Sequence, residues 1–330
     1  MKIFLTGGTG FIGQPLTQAL LKRGWQVTAL VRNPQSAEAK AIERLGAQLA
    51  QGDVTQHDSM RAPMSGAEVV FHNAGWYELG VGGAAKARMR AINVQGTENV
   101  LGLAVELGIP NIIYTSSTTA IGDTGGHLAD ETFKRHAPYL SFYEQTKSGA
   151  HGLALQYQQR GAPLVILCPA QVIGPGDHSA FGWFARLYVR GLMPPMSWAP
   201  EAVFTMGHVE DVAEAMALAV DKGQPGQTYF LGGGNITMRE MIEVWKHTPG
   251  GIKPFIWLPR WLALLNGALA EPLLRLLGLP AFISREVITS SYACFRYSSA
   301  KAEKELGATF RSAEQTWLDT LAGERAALKR

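Results

Sequence analysis

Lys2-Ile3-Phe4-Leu5-Thr6-Gly7-Gly8-Thr9-Gly10-Phe11-Ile12-Gly13 decides the fold. A short apolar run, Lys2–Thr6, ends in a glycine loop, and the loop opens a segment whose apolar residues Phe11, Ile12, Leu16, Ala19 and Leu20 recur with helical period. Strand, tight glycine turn and helix in that order form the phosphate cradle of a dinucleotide-binding unit. Glycine lets the chain turn sharply and lets backbone approach a pyrophosphate, and the helix N-terminus supplies free N–H groups and the positive end of a dipole. Gly7, Thr9, Gly10, Phe11, Ile12 and Gly13 are therefore candidate cofactor contacts, Gly13 also allowing close helix–strand packing.

The pattern continues outward. Gln26–Val31, Gln48–Gln51, Val69–His72, Asn111–Ser116 and Leu164–Leu167 read as strands, nearly continuous in apolar residues as strands buried on both faces should be. Helical segments fall between them, at about Gln35–Leu45, 84–107 (one long helix) and 141–160. This alternation predicts an α/β protein with a Rossmann-type doubly wound parallel sheet. Beyond Pro169 the chain is less regular, with a helical patch at 179–190, a helix over Val209–Val220, a strand at Thr228–Leu231, a turn at Gly232-Gly233-Gly234 and mostly helix from 237. The expected plan is a cofactor domain of residues 1–173 and 203–231, and a smaller, mostly helical C-terminal substrate lobe of residues 174–202 and 232–330.

The second strand ends at Leu30-Val31-Arg32-Asn33, where a dinucleotide fold reads the ribose. An acid there would accept from a 2′-hydroxyl, whereas Arg32 offers a forked cation suited to a 2′-phosphate. Arg32 thus points to NADP(H) rather than NAD(H), the alternative being a solvated arginine at a strand end. Asp53, with Val54 after the third strand, stands where the adenine would lie, and serves equally as a turn residue before the next helix.

Tyr143-Glu144-Gln145-Thr146-Lys147 sets a phenol and an ammonium on one helix face. A tyrosine ionises near pH 10, and a neighbouring cation is expected to lower that value toward proton exchange. Tyr297…Lys301 repeats the spacing. Only Tyr143 is preceded by a strand ending in serines, Ser116-Ser117, so Tyr143 and Lys147 are read as catalytic and the second copy as structural. Ser117 would steady a substrate oxygen, with Ser116 and Thr118 as alternatives.

Together Thr6–Gly13, Asn73-Ala74-Gly75, Asn93-Val94-Gln95-Gly96-Thr97, Ser116-Ser117, Tyr143…Lys147, Pro169-Ala170-Gln171-Val172-Ile173-Gly174-Pro175-Gly176-Asp177 and His208-Val209-Glu210-Asp211 resemble the extended short-chain dehydrogenase/reductase family. The resemblance spans nearly the whole chain and is closest to the dihydroflavonol-4-reductase-like members. It implies Tyr143 as acid/base, Lys147 as its partner, Ser117 as oxygen holder and Asn93 as support for a proton relay, or else as a helix-packing amide. It implies that Ala74, Gly75 and Pro169 line the cofactor channel, and that His208 and Asp211 fasten the two lobes. Sugar-nucleotide epimerases and dehydratases of the family carry an Arg and an Asn where this chain has Cys168 and Gln171. The resemblance therefore implies reduction of a ketone or aldehyde, or the reverse, with a sugar-nucleotide epimerase or dehydratase as the alternative and a non-catalytic NADP-sensing protein as a third.

Trp183, Phe184, Tyr188, Trp198, Trp257 and Trp261 suggest a wall for an apolar or aromatic small-molecule substrate, each being ordinary core on the plainer reading. Residues 255–283 are rich in Trp, Leu and Ala, but Arg260, Glu271 and Arg275 interrupt them and Pro259, Pro272 and Pro280 are expected to break them up. No span reaches the roughly 20 residues of a transmembrane helix. A packed lid or pocket wall is expected, with a membrane-surface helix as the alternative. The net charge of +3 and the absence of a basic run argue against a nucleic-acid partner. Two cysteines are too few for a disulfide framework, and the chain runs from Met1 straight into the glycine loop, so a cytoplasmic protein is expected. The histidines show no metal-ligand spacing. The helices 84–107 and 141–160 could pair into a homodimer.

Overall fold

The computed structural model describes residues 1–279 and 281–328, so Pro280 lies outside the described residues. The strands are β1 (Lys2–Thr6), β2 (Gln26–Val31), β3 (Gln48–Gln51), β4 (Val69–His72), β5 (Asn111–Thr115), β6 (Leu164–Pro169), β7 (Gln171–Ile173), β8 (Met196–Ser197), β9 (Val203–His208), β10 (Thr228–Leu231), β11 (Gly234–Thr237) and β12 (Ile256–Trp257). The α-helices are α1 (Gly13–Lys22), α2 (Ala37–Arg44), α3 (His57–Met64), α4 (Gly83–Arg90), α5 (Gly96–Glu106), α6 (Thr118–Ile121), α7 (Phe142–Gln159), α8 (Ala180–Val189), α9 (Val209–Lys222), α10 (Met238–Trp245), α11 (Arg260–Leu276), α12 (Arg285–Ser290), α13 (Ala300–Leu306) and α14 (Ala313–Ala327).

Seven parallel strands form one sheet in the order β10-β6-β5-β4-β1-β2-β3. The order reverses at β1, so β2 and β3 lie on one side of it and β4, β5 and β6 on the other. A crevice opens at that reversal, at the carboxyl ends of β1 and β4, which is where open sheets of this kind take their ligands. The apolar continuity of the strands has a simple cause. Ile3 and Leu5 point into a core shared with Leu16, Leu20 and Val212, and Phe4 points into a second core with Met60, Val100 and Ile112 on the opposite face. Burying each such side chain contributes about 1.5–3 kcal/mol.

A third core lies outside the sheet and joins Phe184, Trp198, Phe204, Trp245, Ile288 and Trp317. It rests on a smaller sheet, β11-β9-β7, with β9 parallel to β7 and antiparallel to β11. These strands form where the sequence reading has irregular chain and a glycine turn. They lack the long apolar run of the central strands, and their partners come from distant parts of the chain.

Two further differences bear on the site. The single helix expected over 84–107 is α4 and α5 joined by a π-helical segment, Ala91–Gln95, whose one buried residue is Asn93. Pro272 does not break its segment but sits inside α11, leaving the Ala268 carbonyl without a helical donor.

Candidate active site

All seven strands run the same way, so the residues just past β1 to β6 line one edge of the sheet. That edge brings together Gly7–Gly13, Arg32, Asp53-Val54, Ala74-Gly75, Ser116-Ser117 and Pro169. The glycines are required there. Gly7 has φ +73°, and a Cβ on it would stand 2.6 Å from the Ala74 amide nitrogen. A Cβ on Gly13 would stand 1.9 Å from the Gly7 carbonyl oxygen. The loop and the crossover after β4 thus touch backbone to backbone, and the Ala74 N–H donates to Thr6 Oγ1 at 3.2 Å. The residue before α1, Ile12, gives no side-chain cap; Gln14 N–H already donates to the Gly10 carbonyl at 3.0 Å and Pro15 has no N–H, so Gly13 N–H is the donor of the first turn left for an anion. Phe11 reaches across to Gly174, where its ring lies 3.6 Å from a would-be Cβ.

Arg32 is exposed at the end of β2 and has no hydrogen-bond or ion-pair partner among the described residues. Asp53 is already engaged: its Oδ1 accepts from the Thr55 N–H at 2.8 Å and from the Thr55 hydroxyl at 2.7 Å, the geometry of a turn. Val54 is buried against Gly96, and its carbonyl accepts from Asn99 Nδ2 at 2.9 Å. The glycine cradle and the start of α1 fit the pyrophosphate of a nicotinamide dinucleotide.

Ser141 caps α7 and sets Tyr143 in its first turn. Lys147, one turn on, is 6% exposed; its Nζ donates to the Thr115 carbonyl at 3.1 Å and stands 5.4 Å from the Tyr114 ring centroid. Its titratable neighbours are uncharged at neutral pH. Burial, with the Lys147 charge adding to it, pulls His72 down to about 3 and His151 down to about 4, and burial pushes the Cys168 thiol up to about 12. Burial without a counter-ion lowers Lys147 itself to about 8. Tyr143 runs opposite to the sequence-based expectation. Burial pushes its phenol up to about 12, and the pull toward ionisation comes from the Ser117 hydroxyl and not from the ammonium. Desolvation outweighs the favourable neighbour here.

Ser117 begins α6, where its Oγ accepts from the Thr119 N–H at 3.1 Å. The alternatives are placed differently: Ser116 is buried and bonds His151 Nδ1 at 2.9 Å, and Thr118 lines the cleft beyond. Asn93 uses its whole side-chain amide. Its Oδ1 accepts from the Trp76 N–H at 2.7 Å, and its Nδ2 donates to the Trp76 carbonyl and to Thr146 Oγ1, both at 3.0 Å. It pins the 73–77 crossover to α7, and Gly75 lies between it and Lys147, with a would-be Cβ 3.6 Å from Asn93 Oδ1 and 4.0 Å from Lys147 Nζ. The π turn that aims this amide inward leaves no trace in residue periodicity.

Tyr143 opens onto a cleft walled by Tyr77, Phe181, Phe184, Phe204, Met238 and Phe295. Tyr77 packs edge-on against Tyr143 at 4.9 Å. Of the six aromatics expected as a wall, Phe184 lines this cleft. Trp198 lines a second apolar cavity that shares Phe184 and Met238 with the first. Tyr188 is core, its hydroxyl donating to the Trp245 and Thr248 carbonyls. Trp183 stacks on Phe282, Trp257 carries Arg239 over its ring, and Trp261 is 67% exposed. Glu286 of α12 is a further participant that sequence spacing does not signal. Its carboxylate accepts from the Phe142 and Gly80 N–H groups, tying the start of α7 to the loop that carries Tyr77.

The second Tyr–Lys pair is consumed by structure. Tyr297 donates to the Thr118 and Gly122 carbonyls, and Lys301 donates to Gln227 Oε1 and the Thr228 carbonyl. His208 caps α9, and Asp211 forms a two-pronged pair with Arg311, which also holds Asp319 of α14. Among the described residues no group of three or more His, Cys, Asp or Glu is placed to hold a metal, and no helix is long and apolar enough to cross a membrane.

Comparison with known proteins bears on the family and the fold. Residues 3–232 match the model of the NAD dependent epimerase/dehydratase family. The chain is 32% identical over 326 residues to the "Putative dihydroflavonol 4-reductase" of Synechocystis sp., covering 96% of this chain and 93% of that protein. It is 30% identical over 338 residues to the 4-hydroxy-2-methyl-3-oxo-4-farnesyl-3,4-dihydroquinoline-1-oxide ketoreductase of Stigmatella aurantiaca, covering 97% and 96%. Among solved structures, gox2253 superposes with a TM-score of 0.81 at 31% identity, covering 98% of each chain.

Proposed function

The chain belongs to the NAD dependent epimerase/dehydratase family, and we propose that within it the protein is an NADP(H)-dependent oxidoreductase that reduces a ketone or aldehyde on an apolar substrate, or oxidises the corresponding alcohol. The observation that carries this reading is the placement of Tyr143, Ser117 and Lys147 between the dinucleotide edge of the sheet and an aromatic cleft. No Lys or Arg lines that cleft among the described residues, where a sugar nucleotide would bring its diphosphate. Buried Cys168 and Gln171 occupy the positions where sugar-nucleotide members carry an Arg and an Asn. The ketoreductase of Stigmatella aurantiaca supports a carbonyl substrate.

The glycine loop and the α1 N-terminus would hold the pyrophosphate, Arg32 the 2′-phosphate, and Ala74 and Gly75 the channel between β1 and β4. The nicotinamide that these residues would hold along that edge would supply hydride chemistry. Tyr143, protonated throughout the neutral range, donates its proton to the carbonyl oxygen. Ser117 donates a hydrogen bond to that oxygen and steadies its developing charge. Lys147 faces no carboxylate, so its ammonium is free to hold a ribose hydroxyl and to return a proton to Tyr143. Asn93 positions the Trp76 crossover and α7.

The test is titration of the purified protein with NADPH and NADH, followed by a screen of ketones and aldehydes for NADPH oxidation. Preferential NADPH binding and turnover of an apolar ketone are expected, and Tyr143→Phe should abolish turnover with NADPH affinity kept. Tightly retained NAD, or Tyr143→Phe turning over normally, would overturn the reading.

A further inference from the structure

We propose that α11 and the segment leading into it form a docking surface for an anionic lipid bilayer. Trp261, Leu265, Leu269, Leu273 and Leu276 recur every fourth or third residue and fall within about 120° of the helix circumference. They are 67%, 48%, 67%, 57% and 83% exposed. The opposite face is the one that packs: Ala263 and Gly267 are buried, and a Cβ on Gly267 would stand 2.7 Å from Ile288 Cδ1 of α12. A helix at a protein surface ordinarily turns polar residues outward, so α11 presents to water the kind of face that others bury. More than half of the large apolar side chains exposed among the described residues lie between Ile252 and Leu279. A contiguous apolar area of that kind marks an interaction surface.

The charge on this face selects the occupant. Lys253, Arg260, Arg275 and Arg285 flank it against the single acid Glu271, a surplus equal to the net charge of +3 of the whole chain. Glu243 of α10 and Lys246 just past it, which meet at the Lys253 side, leave that surplus unchanged. Arg260 lies over the Tyr292 ring and Arg275 pairs with Glu271, while Arg285 is exposed. An apolar stripe with cations at its edges and a tryptophan at one end matches a helix lying in the interface of acidic lipids. A second copy fits less well. Antiparallel pairing of α11 would set Arg260 of one molecule against Arg275 of the other. The second apolar cavity touches the same helix at Asn266, with Leu258, just before the helix, also in its wall.

The experiment is flotation of the full-length protein with vesicles of phosphatidylglycerol and phosphatidylcholine, beside vesicles of phosphatidylcholine alone. The expected result is flotation with the anionic vesicles, weakened by salt and weaker on neutral ones. Leu269→Glu with Leu273→Glu should lower the bound fraction by roughly tenfold or more while melting temperature and NADPH binding stay unchanged. Because both side chains point to solvent, this variant is expected to fold. Absence of flotation, or equal flotation by the variant, would overturn the proposal. So would a dimer in light scattering that the same substitutions dissolve, which would assign the face to a second copy.

Discussion

Replacing Lys147 by methionine should make the protein more stable and inactive at once. The ammonium is buried, has one hydrogen bond to the Thr115 carbonyl, and is surrounded by groups that carry no negative charge. Burial lowers it from 10.5 to about 8. Below pH 8 the amine is protonated in folded and unfolded chains alike, and the folded state bears the whole cost of burying the charge, about 3 kcal/mol. Between about pH 8 and 10.5 the unfolded chain keeps a proton that the folded chain has released, so the stability of the wild type rises with pH through that window. Methionine keeps the length and polarisable bulk of the side chain and removes the charge. It also removes the donor to Thr115, which takes back about 1 kcal/mol. The net gain at pH 7 is about 2 kcal/mol, or a melting temperature about 3 °C higher in a chain of this length. Urea unfolding of both proteins at a series of pH values reads the effect, since groups that do not feel Lys147 cancel in the difference and His72 and His151, which do, are neutral in both states above pH 7. The gap should be widest at neutral pH and close, then reverse, as pH approaches 10.5. A variant that is less stable than the wild type at pH 7, or a gap that does not move with pH, would refute the argument that Lys147 is held as an unpaired buried cation.

Arg32→Asp places a carboxylate where the ribose phosphate would lie, and the ratio of NADPH to NADH affinity should fall by roughly a hundredfold or more; an unchanged ratio would remove Arg32 from the phosphate site. Gly13→Ala puts a Cβ 1.9 Å from the Gly7 oxygen, so titration with NADPH should show binding weakened by roughly a hundredfold, and intact binding would mean that the loop is not the cradle. Lys301→Ala should leave turnover within about twofold while lowering the unfolding midpoint, because its donors serve Gln227 and Thr228.

The central sheet was legible because a strand buried on both faces cannot be anything but a short apolar run, as in Val69–His72 and Leu164–Leu167. The carboxyl edge followed from it, since parallel strands bring every crossover to one side, and with it came the glycine loop, Arg32 and Ser117. What the sequence did not reveal depends on contacts between distant segments. β9 finds its partners in β7 and β11, and the polar residues within Val203–His208 interrupt the pattern that betrays the longer strands. The cleft wall was misjudged because composition counts aromatic rings and says nothing of their direction. Phe181, Phe204 and Phe295 meet there from three separate stretches, while Trp261 turns outward. Glu286 reaches its donor at Phe142 across 144 residues, a distance over which no local pattern can act.

The two Tyr–Lys pairs show why spacing alone cannot define this chemistry. Both follow the same four-residue interval, yet each phenol answers to its surroundings. Tyr297 is buried with its hydroxyl directed at the Thr118 and Gly122 carbonyls, the first residue of the short helix α6 that Ser117 caps and the residue just after it. The second tyrosine therefore fixes the backbone on which the first pair's serine stands. Lys301 has exchanged its freedom for two oxygens, whereas Lys147 keeps N–H capacity beyond its one bond to Thr115. A catalytic group must retain an unspent bonding direction toward the place where substrate or cofactor will come. Tyr143 and Lys147 retain one, facing a cleft and a sheet edge, whereas the Tyr297 hydroxyl and two of the three Lys301 N–H donors are already bound to oxygens within the fold.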